Sequence, residues 1–255
     1  MRPEIKPINL ILTKMKKIVF GLMAVATLVL VGCKNDSSSN GGKTLNSIVA
    51  NYGDTINFAD TLGVAEVEVI PADYYYADVD EDGLVIVGHV GKTTLDVIAE
   101  GKTQKVALTI EPTYADEYFY PTFNCDWTLT EAALRQQMGT PGYDTTYNDT
   151  TVLVYQVSQL FYGQYYFVNN KFDMLECLTA NSTLGQYSLY YLLERFQYYG
   201  QNQGYYFFIN ALTREEANTV ITFANMGGYY WNVYQPNTPA GVTAPKRMPK
   251  KLVNF

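Results

Sequence analysis

The chain has 255 residues, of which 47% are hydrophobic and 17% charged, and it carries a formal net charge of −7. Nucleic-acid binding requires clustered Lys and Arg, so this acidic balance predicts no nucleic-acid partner. Its length allows more than one domain. Tyrosine, with 23 residues, is the clearest compositional excess.

The N-terminal segment has the pattern of a signal peptide. Met15 and two lysines precede an apolar run over residues 18–31, and Gly32 and Cys33 follow it. A basic start, a short apolar stretch and a small-residue exit are typical of a cleaved leader. The run is shorter than the roughly 20 residues of a transmembrane helix. We therefore expect a leader over residues 1–32, with Met15 as an alternative start.

The end of this leader, Leu30-Val31-Gly32-Cys33, resembles the lipobox of bacterial lipoproteins. In that family the cysteine is acylated and becomes the new N-terminus. The resemblance implies lipid attachment at Cys33 and a place in the cell envelope, as an outer-membrane lipoprotein facing the periplasm or the cell surface. Several acyl chains would make this contact with the membrane stable, because one chain binds only marginally.

Both ends of the remaining chain are expected to be flexible. Residues 33–43 are rich in Ser, Asn and Gly and predict a tether. Residues 237–255 contain the only basic cluster and predict a flexible tail. Without residues 1–32 the chain has 13 Lys and Arg against 24 Asp and Glu, a net charge of −11.

Residues 44–112 predict short strands divided by turns, with no helix. Apolar residues alternate with polar ones in three stretches, which begin at Ala65, Thr93 and Val106. Strict alternation is typical of half-buried strands. Glycine-containing pairs such as Asp82-Gly83 supply the turns. This spacing favours a small all-β sandwich.

Within this stretch, residues 77–94 resemble the bacterial Ig-like domain, group 2. The shared features are the Asp82-Gly83 turn, a strand, Gly88, and Gly91 before an alternating strand. The resemblance implies an Ig-like β-sandwich that serves as a spacer in bacterial surface proteins.

Residues 120–236 predict an α+β domain. Thr128-x-x-Glu131 is a capping box at a helix start, and the spacing of Leu189, Leu192, Leu193 and Phe196 predicts a second, amphipathic helix. Three strands follow each helix, and Asn169-Asn170 forms the turn of one hairpin. The order helix–three strands, twice, predicts helices on one face of an antiparallel sheet.

This arrangement resembles the tandem αβββ fold of β-lactamase inhibitor proteins. Met138-Gly139-Thr140-Pro141, before a Tyr-bearing strand, is similar to an element of the small lipoproteins of the barrel-assembly machinery. Asp126-Trp127 resembles the start of a domain in lipoproteins of the Bacteroidota. These resemblances imply an inhibitor or assembly factor.

An acidic motif and a single histidine are the candidates for a metal or catalytic site. Asp78, Asp80 and Asp82 match the first half of a calcium loop, but His89 occupies the position of its final glutamate, so an acidic hairpin turn is the favoured interpretation. His89 is the only histidine and lies within a strand pattern, which favours a locally satisfied side chain over a catalytic one. We predict no metal, no cofactor and no catalytic residue.

Cys125 and Cys177 remain once Cys33 is acylated. The sequence allows two alternatives, a disulfide between these cysteines or two buried, reduced thiols.

Paired tyrosines suggest where binding would occur. On a strand, adjacent side chains point to opposite faces, so each pair is expected to place one ring in the core and one outside. Outward rings suit a protein or glycan partner. We therefore predict a non-catalytic binding or scaffolding protein, with an inhibitor or assembly factor as the alternative.

Overall fold

The computed structural model describes residues 44–114, 126–158 and 161–237, and the chain is mostly β. Its first part, here the N-terminal unit, consists of β1 (Ser47–Asn51), β2 (Thr55–Ile56), α1 (Phe58–Leu62), β3 (Val67–Pro71), β4 (Ala77–Val79), β5 (Val85–Val87), β6 (Gly91–Ala99) and β7 (Lys102–Glu111). The second part, the helix–sheet unit, consists of α2 (Glu131–Met138), β8 (Tyr143–Tyr147), β9 (Thr150–Ser158), β10 (Phe161–Val168), β11 (Lys171–Thr179), α3 (Ser182–Arg195), β12 (Gln197–Asn202), β13 (Tyr205–Ile209), β14 (Thr219–Met226) and β15 (Tyr229–Pro236).

Two small sheets share one core in the N-terminal unit. The first has the strand order β1-β7-β6-β3, with β1 parallel to β7, and the second has the order β2-β5-β4. The predicted alternation is confirmed, because Leu95, Val97, Val106 and Leu108 are all fully buried. They pack in the same cluster as residues of the second sheet, including Val85.

The prediction that residues 44–112 contain no helix is wrong, because α1 lies between β2 and β3. The Asn57 side chain accepts the backbone N–H of Asp60 at 3.1 Å and begins the helix. Gly63 ends it with φ 72°, in the left-handed region that favours glycine. Five residues are too few to show a helical period in the sequence.

The helix–sheet unit contains one antiparallel sheet with the order β12-β13-β14-β15-β11-β10-β9-β8. The prediction of helix–three-strand units is wrong by one strand each, since α2 and α3 are each followed by four strands. The missed strands, β8 and β12, form the two edges of the sheet. Their sequences are largely polar and exposed, so they carry no apolar alternation. The last strands of the two halves, β11 and β15, pair at the centre.

The predicted capping box at α2 is also wrong. Thr130, not Thr128, is the N-cap, and its side chain accepts the N–H of Ala133 at 3.2 Å. Thr128 is bonded to Asp126 instead. The Glu131 side chain pairs with Arg135, one turn along the helix.

Both helices contribute to one core with the sheet. Leu134 of α2 and Leu192 of α3 are fully buried in the same cluster as Tyr165 and Phe208. The predicted hairpin turn is confirmed, since Asn169 and Asn170 have φ of 50° and 62° between β10 and β11. Within the described ranges, no helix combines the length and apolar character needed to cross a membrane.

Candidate functional site

Helix α3 connects the two units. Its N-cap, Asn181, accepts the backbone N–H of Leu184 at 3.0 Å. Gly185 lets the helix lie close to β15, because a Cβ atom there would be 2.1 Å from the Tyr230 ring. One turn further, the buried Asn232 side chain donates to Ser188 Oγ. These contacts fix the direction in which the last turn of α3 projects.

At that last turn a buried carboxylate binds the segment that leaves β7. Glu194, 2% exposed, accepts the backbone N–H groups of Thr113 and Tyr114, both at 3.0 Å. The Arg195 guanidinium pairs with the same carboxylate and donates to the Tyr114 carbonyl at 2.8 Å. It also lies 3.9 Å from the centroid of the Tyr191 ring. We call Glu194, Arg195, Thr113 and Tyr114 the clasp.

The N-terminal unit satisfies carbonyl groups at the end of α3. The last carbonyls of a helix have no partner within it. Tyr75 donates its hydroxyl to the Arg195 carbonyl at 2.7 Å, and Val90 donates its N–H to the Glu194 carbonyl at 2.8 Å. The two units therefore meet through directed hydrogen bonds.

His89 lies at the same junction rather than within a strand, so the prediction of a locally satisfied strand histidine is wrong. It follows β5, and its ring stacks against Tyr52 at 5.9 Å and lies 4.4 Å from the Tyr75 ring, between centroids. Its Nε2 is 3.5 Å from Gln197 Oε1, across the junction. The residue is buried, and its Nδ1 makes no hydrogen bond. Burial lowers the pKa of His89, and the Gln197 oxygen opposes this shift.

A group of three tyrosine rings lies beside the clasp. The Tyr114 ring is 5.7 Å from that of Tyr187 and 5.6 Å from that of Tyr190. Tyr187 is 43% exposed and Tyr190 36%, so the group reaches solvent. We call these three residues the tyrosine cluster.

The sequence contained a signal for this arrangement that our predictions did not use. Tyr187, Tyr190, Tyr191 and Glu194 recur at i, i+3, i+4 and i+7, which places them on one side of a helix. The apolar stripe of Leu189, Leu192, Leu193 and Phe196 forms a different side. The partner of Glu194 is 80 residues away, so spacing alone could not identify it.

The other tyrosine pairs follow the predicted division only in part. Tyr199 and Tyr229 are exposed. Tyr165 and Tyr166 of β10 are both buried, which contradicts the expected outward ring. Tyr166 donates its hydroxyl to Glu176 Oε2 at 2.8 Å, and burial raises the pKa of the Glu176 carboxyl.

In the acidic turn between β4 and β5, carboxylates accept hydrogen bonds from backbone N–H groups of the same turn. Asp80 Oδ1 accepts the backbone N–H groups of Asp82 at 3.0 Å and Leu84 at 2.9 Å. Asp78 Oδ1 accepts the N–H of Val79. In the part of the chain that the structure describes, no three His, Cys, Asp or Glu side chains are arranged to hold a metal ion.

Two predicted sites lie outside the described residues, namely the lipid-attachment residue Cys33 and the thiol of Cys125. Cys177 is buried on β11, and burial, followed by the charge of Glu176, raises the pKa of its thiol. The leader (1–32), the tether (33–43) and nearly all of the tail (237–255) also lie outside.

Comparison with known proteins identifies no family. No protein-family model matches the chain, and no curated protein matches it. Among solved structures, a cysteine-rich secretory protein from Staphylococcus aureus aligns with 43% of this chain and 44% of its own, at 5% identity and a TM-score of 0.27. A TM-score this low supports neither a shared fold nor a shared function.

Proposed function

We propose that this chain is a lipid-anchored protein of the cell envelope that binds a protein or glycan partner without catalysis. Its lipid would be attached at Cys33, the N-terminal unit would act as a spacer, and the helix–sheet unit would carry the binding surface. The observation that carries the proposal is the tyrosine cluster, a contiguous group of solvent-reaching rings on a buried support.

The sequence before Cys33 supports the anchor. A leader that ends in a lipobox-like motif predicts acylation of this thiol and cleavage before it. Mass spectrometry of the N-terminal peptide from native membranes tests this directly. We expect a diacylglyceryl-modified peptide that begins at Cys33, and a Cys33→Ser variant that leaves the membrane fraction. An unmodified peptide that begins at Met1 or Met15 would contradict the anchor.

The two-sheet core supports the interpretation of the N-terminal unit as an Ig-like spacer. Strands of both sheets bury their alternate residues against one another, as in a β-sandwich. The junction adds stiffness, because Tyr75 and Val90 of the N-terminal unit donate hydrogen bonds to carbonyl groups at the end of α3. A stiff spacer would keep the tyrosine cluster at a fixed distance and orientation from the membrane.

The tyrosine cluster supports partner binding for a physical reason. Tyrosine offers a large apolar ring and a hydroxyl at a low cost in side-chain entropy, and it is enriched at interfaces. Tyr114 is held by its backbone bonds to Glu194 and Arg195. The backbone that carries the Tyr114 ring is therefore fixed before a partner arrives, which lowers the entropic cost of binding.

Binding can be tested with paired tyrosine variants. The full-length chain, purified from native membranes, is compared with Tyr187→Ser/Tyr190→Ser and with a control, Tyr147→Ser/Tyr229→Ser. The control also changes two exposed tyrosines, neither of which belongs to the clasp or to the tyrosine cluster. We expect the co-purifying partner to be lost from the first variant alone. Equal retention by both variants would contradict the proposal.

The symmetry of the sheet favours the second candidate, an inhibitor or assembly factor. Two helix–four-strand halves joined through β11 and β15 form one broad eight-stranded surface. If the partner of the chain were an envelope enzyme or a barrel protein, added chain would reduce the activity or alter the assembly of that partner. A partner unaffected at saturating chain would favour the scaffolding function.

A further inference from the structure

We propose that protonation of His89 opens the junction between the N-terminal unit and the helix–sheet unit, so that the junction is closed at neutral pH and opens in mildly acidic solution. The inference rests on where His89 lies and on which bonds cross the junction. It does not depend on the identity of a partner.

The surroundings of His89 suit a neutral ring. A neutral imidazole has one donor and one acceptor nitrogen, whereas the protonated ring has two donors and a charge. Here the Gln197 oxygen lies 3.5 Å from Nε2, a long contact, Nδ1 has no hydrogen bond, and 8% of the residue is exposed. A charge placed there would lose most of its hydration.

The groups that face His89 do not supply a free negative charge. The Glu194 carboxylate already accepts two backbone N–H groups and pairs with Arg195. Burial raises the pKa of the Tyr52 phenol, which is therefore neutral, and the Tyr75 hydroxyl donates to the Arg195 carbonyl.

The hydrogen-bond acceptors near His89 favour its protonated form, but each affects the pKa of His89 less than burial does. Besides Gln197, the carbonyl groups of Glu194 and Leu193 raise the pKa of His89. Burial is the largest influence, and the pKa stays below that of an exposed histidine. The open junction, in which His89 is hydrated, therefore binds a proton more tightly than the closed one.

Opening the junction would leave both units folded. Each unit has its own buried core. Hydrogen bonds that join the N-terminal unit to α3 or β12 include those of Tyr75 and Val90 and the long contact of His89, and all three come from residues between strands. Thr113 and Tyr114 would stay with Glu194, so the hinge would fall at Pro112, just after β7.

The experiment measures protonation and opening on the same full-length chain in detergent. Because His89 is the only histidine, labelled histidine gives a single imidazole resonance in NMR. Opening is followed by energy transfer between dyes on azide-bearing residues that replace the exposed Glu68 and Tyr147. We expect the resonance to titrate below the value of about 6.5 for free histidine, with energy transfer falling over the same pH range. Each unit of pKa difference changes the ratio of closed to open junction by up to about tenfold.

Two variants identify the cause. His89→Gln keeps a neutral polar side chain, so energy transfer should stay high across the range. Tyr75→Phe leaves His89 in place but removes one bond across the junction, so opening should begin at a higher pH. Constant energy transfer through the titration of His89, a histidine pKa above 6.5, or an unchanged acid transition in His89→Gln would each overturn the proposal. If His89→Gln is open at every pH, the test depends on Tyr75→Phe. An unchanged pH midpoint of energy transfer in Tyr75→Phe would then overturn the proposal.

Discussion

Tyr114 donates its backbone N–H to the Glu194 carboxylate at 3.0 Å, across 80 positions of the sequence. This bond brings the segment that follows the N-terminal unit to the last turn of α3, the helix that also carries Tyr187 and Tyr190 of the tyrosine cluster. Because the carboxylate is buried, its partners cannot be replaced by water without a rearrangement of the junction.

Glu194→Gln should weaken the fold strongly. The variant keeps one acceptor oxygen but removes the charge that pairs with Arg195, and it directs an amide donor toward a backbone N–H. We expect the free energy of unfolding to fall by about 3 kcal/mol, as when one partner of a buried pair is removed. Urea denaturation measures this loss.

Glu131→Gln is the matched control. Glu131 also pairs with an arginine, but in a partly exposed contact along α2. Exposed pairs contribute less than about 1 kcal/mol. Equal losses in the two variants would show that the clasp has no special importance for stability.

Tyr75→Phe tests the bond between the units. Removing the hydroxyl leaves the Arg195 carbonyl without this donor and should cost about 1 kcal/mol. Tyr74→Phe changes the neighbouring ring, which is 54% exposed, and should leave stability unchanged. Thermal unfolding of the two variants in parallel provides the measurement. Identical melting curves for both would mean that the hydroxyl contributes nothing.

Glu176→Gln should change how stability depends on pH. Burial raises the pKa of this carboxyl above its ordinary value of 4.5. The folded chain thus binds the proton more tightly, and the contribution of Glu176 to stability is full below pH 4.5 and falls as pH rises through the folded pKa. Glutamine does not titrate in this range. The free energy of unfolding of the variant, relative to that of the natural chain, should therefore rise from pH 4 to pH 7. Urea midpoints that run parallel across this range would contradict the expectation.

Gly185→Ala should destabilise the contact between α3 and β15. The added methyl group would meet the Tyr230 ring at 2.1 Å, so the ring or the helix must move. Overpacking of this kind costs about 1–3 kcal/mol. Tyr230→Ala introduced into the same chain should recover much of the loss, and a double-mutant cycle measures the coupling. Additive losses would mean that Gly185 and Tyr230 do not compete for space.

Local signals in the sequence predicted the elements whose causes are local. The Asn169-Asn170 turn and the alternation of Leu95 with Val97 were read correctly, because turn chemistry and strand period depend on neighbours. The edge strands β8 and β12 were missed, since edge strands bury little and need no apolar face. α1 was missed because one helical turn has no period.

The candidate site was less predictable because its contacts are distant in sequence. His89 is 108 positions from Gln197, and Tyr75 is 120 from Arg195. Nothing near His89 in the sequence distinguishes a histidine that packs within its own unit from one that lies at a junction. The tyrosine excess predicts a binding surface, but the position of the tyrosine cluster that we propose for it depends on the long-range contact of Tyr114 with α3.

Photo-crosslinking in living cells tests the central claim most directly, namely that the tyrosine cluster of a lipid-anchored protein contacts its partner. A photoreactive phenylalanine analogue replaces Tyr190 in one strain and the exposed Tyr147 in another. The account predicts one discrete crosslinked product from position 190, none from position 147, and loss of the first when Cys33→Ser is added. No product from position 190, or the same product from both positions, would contradict the account.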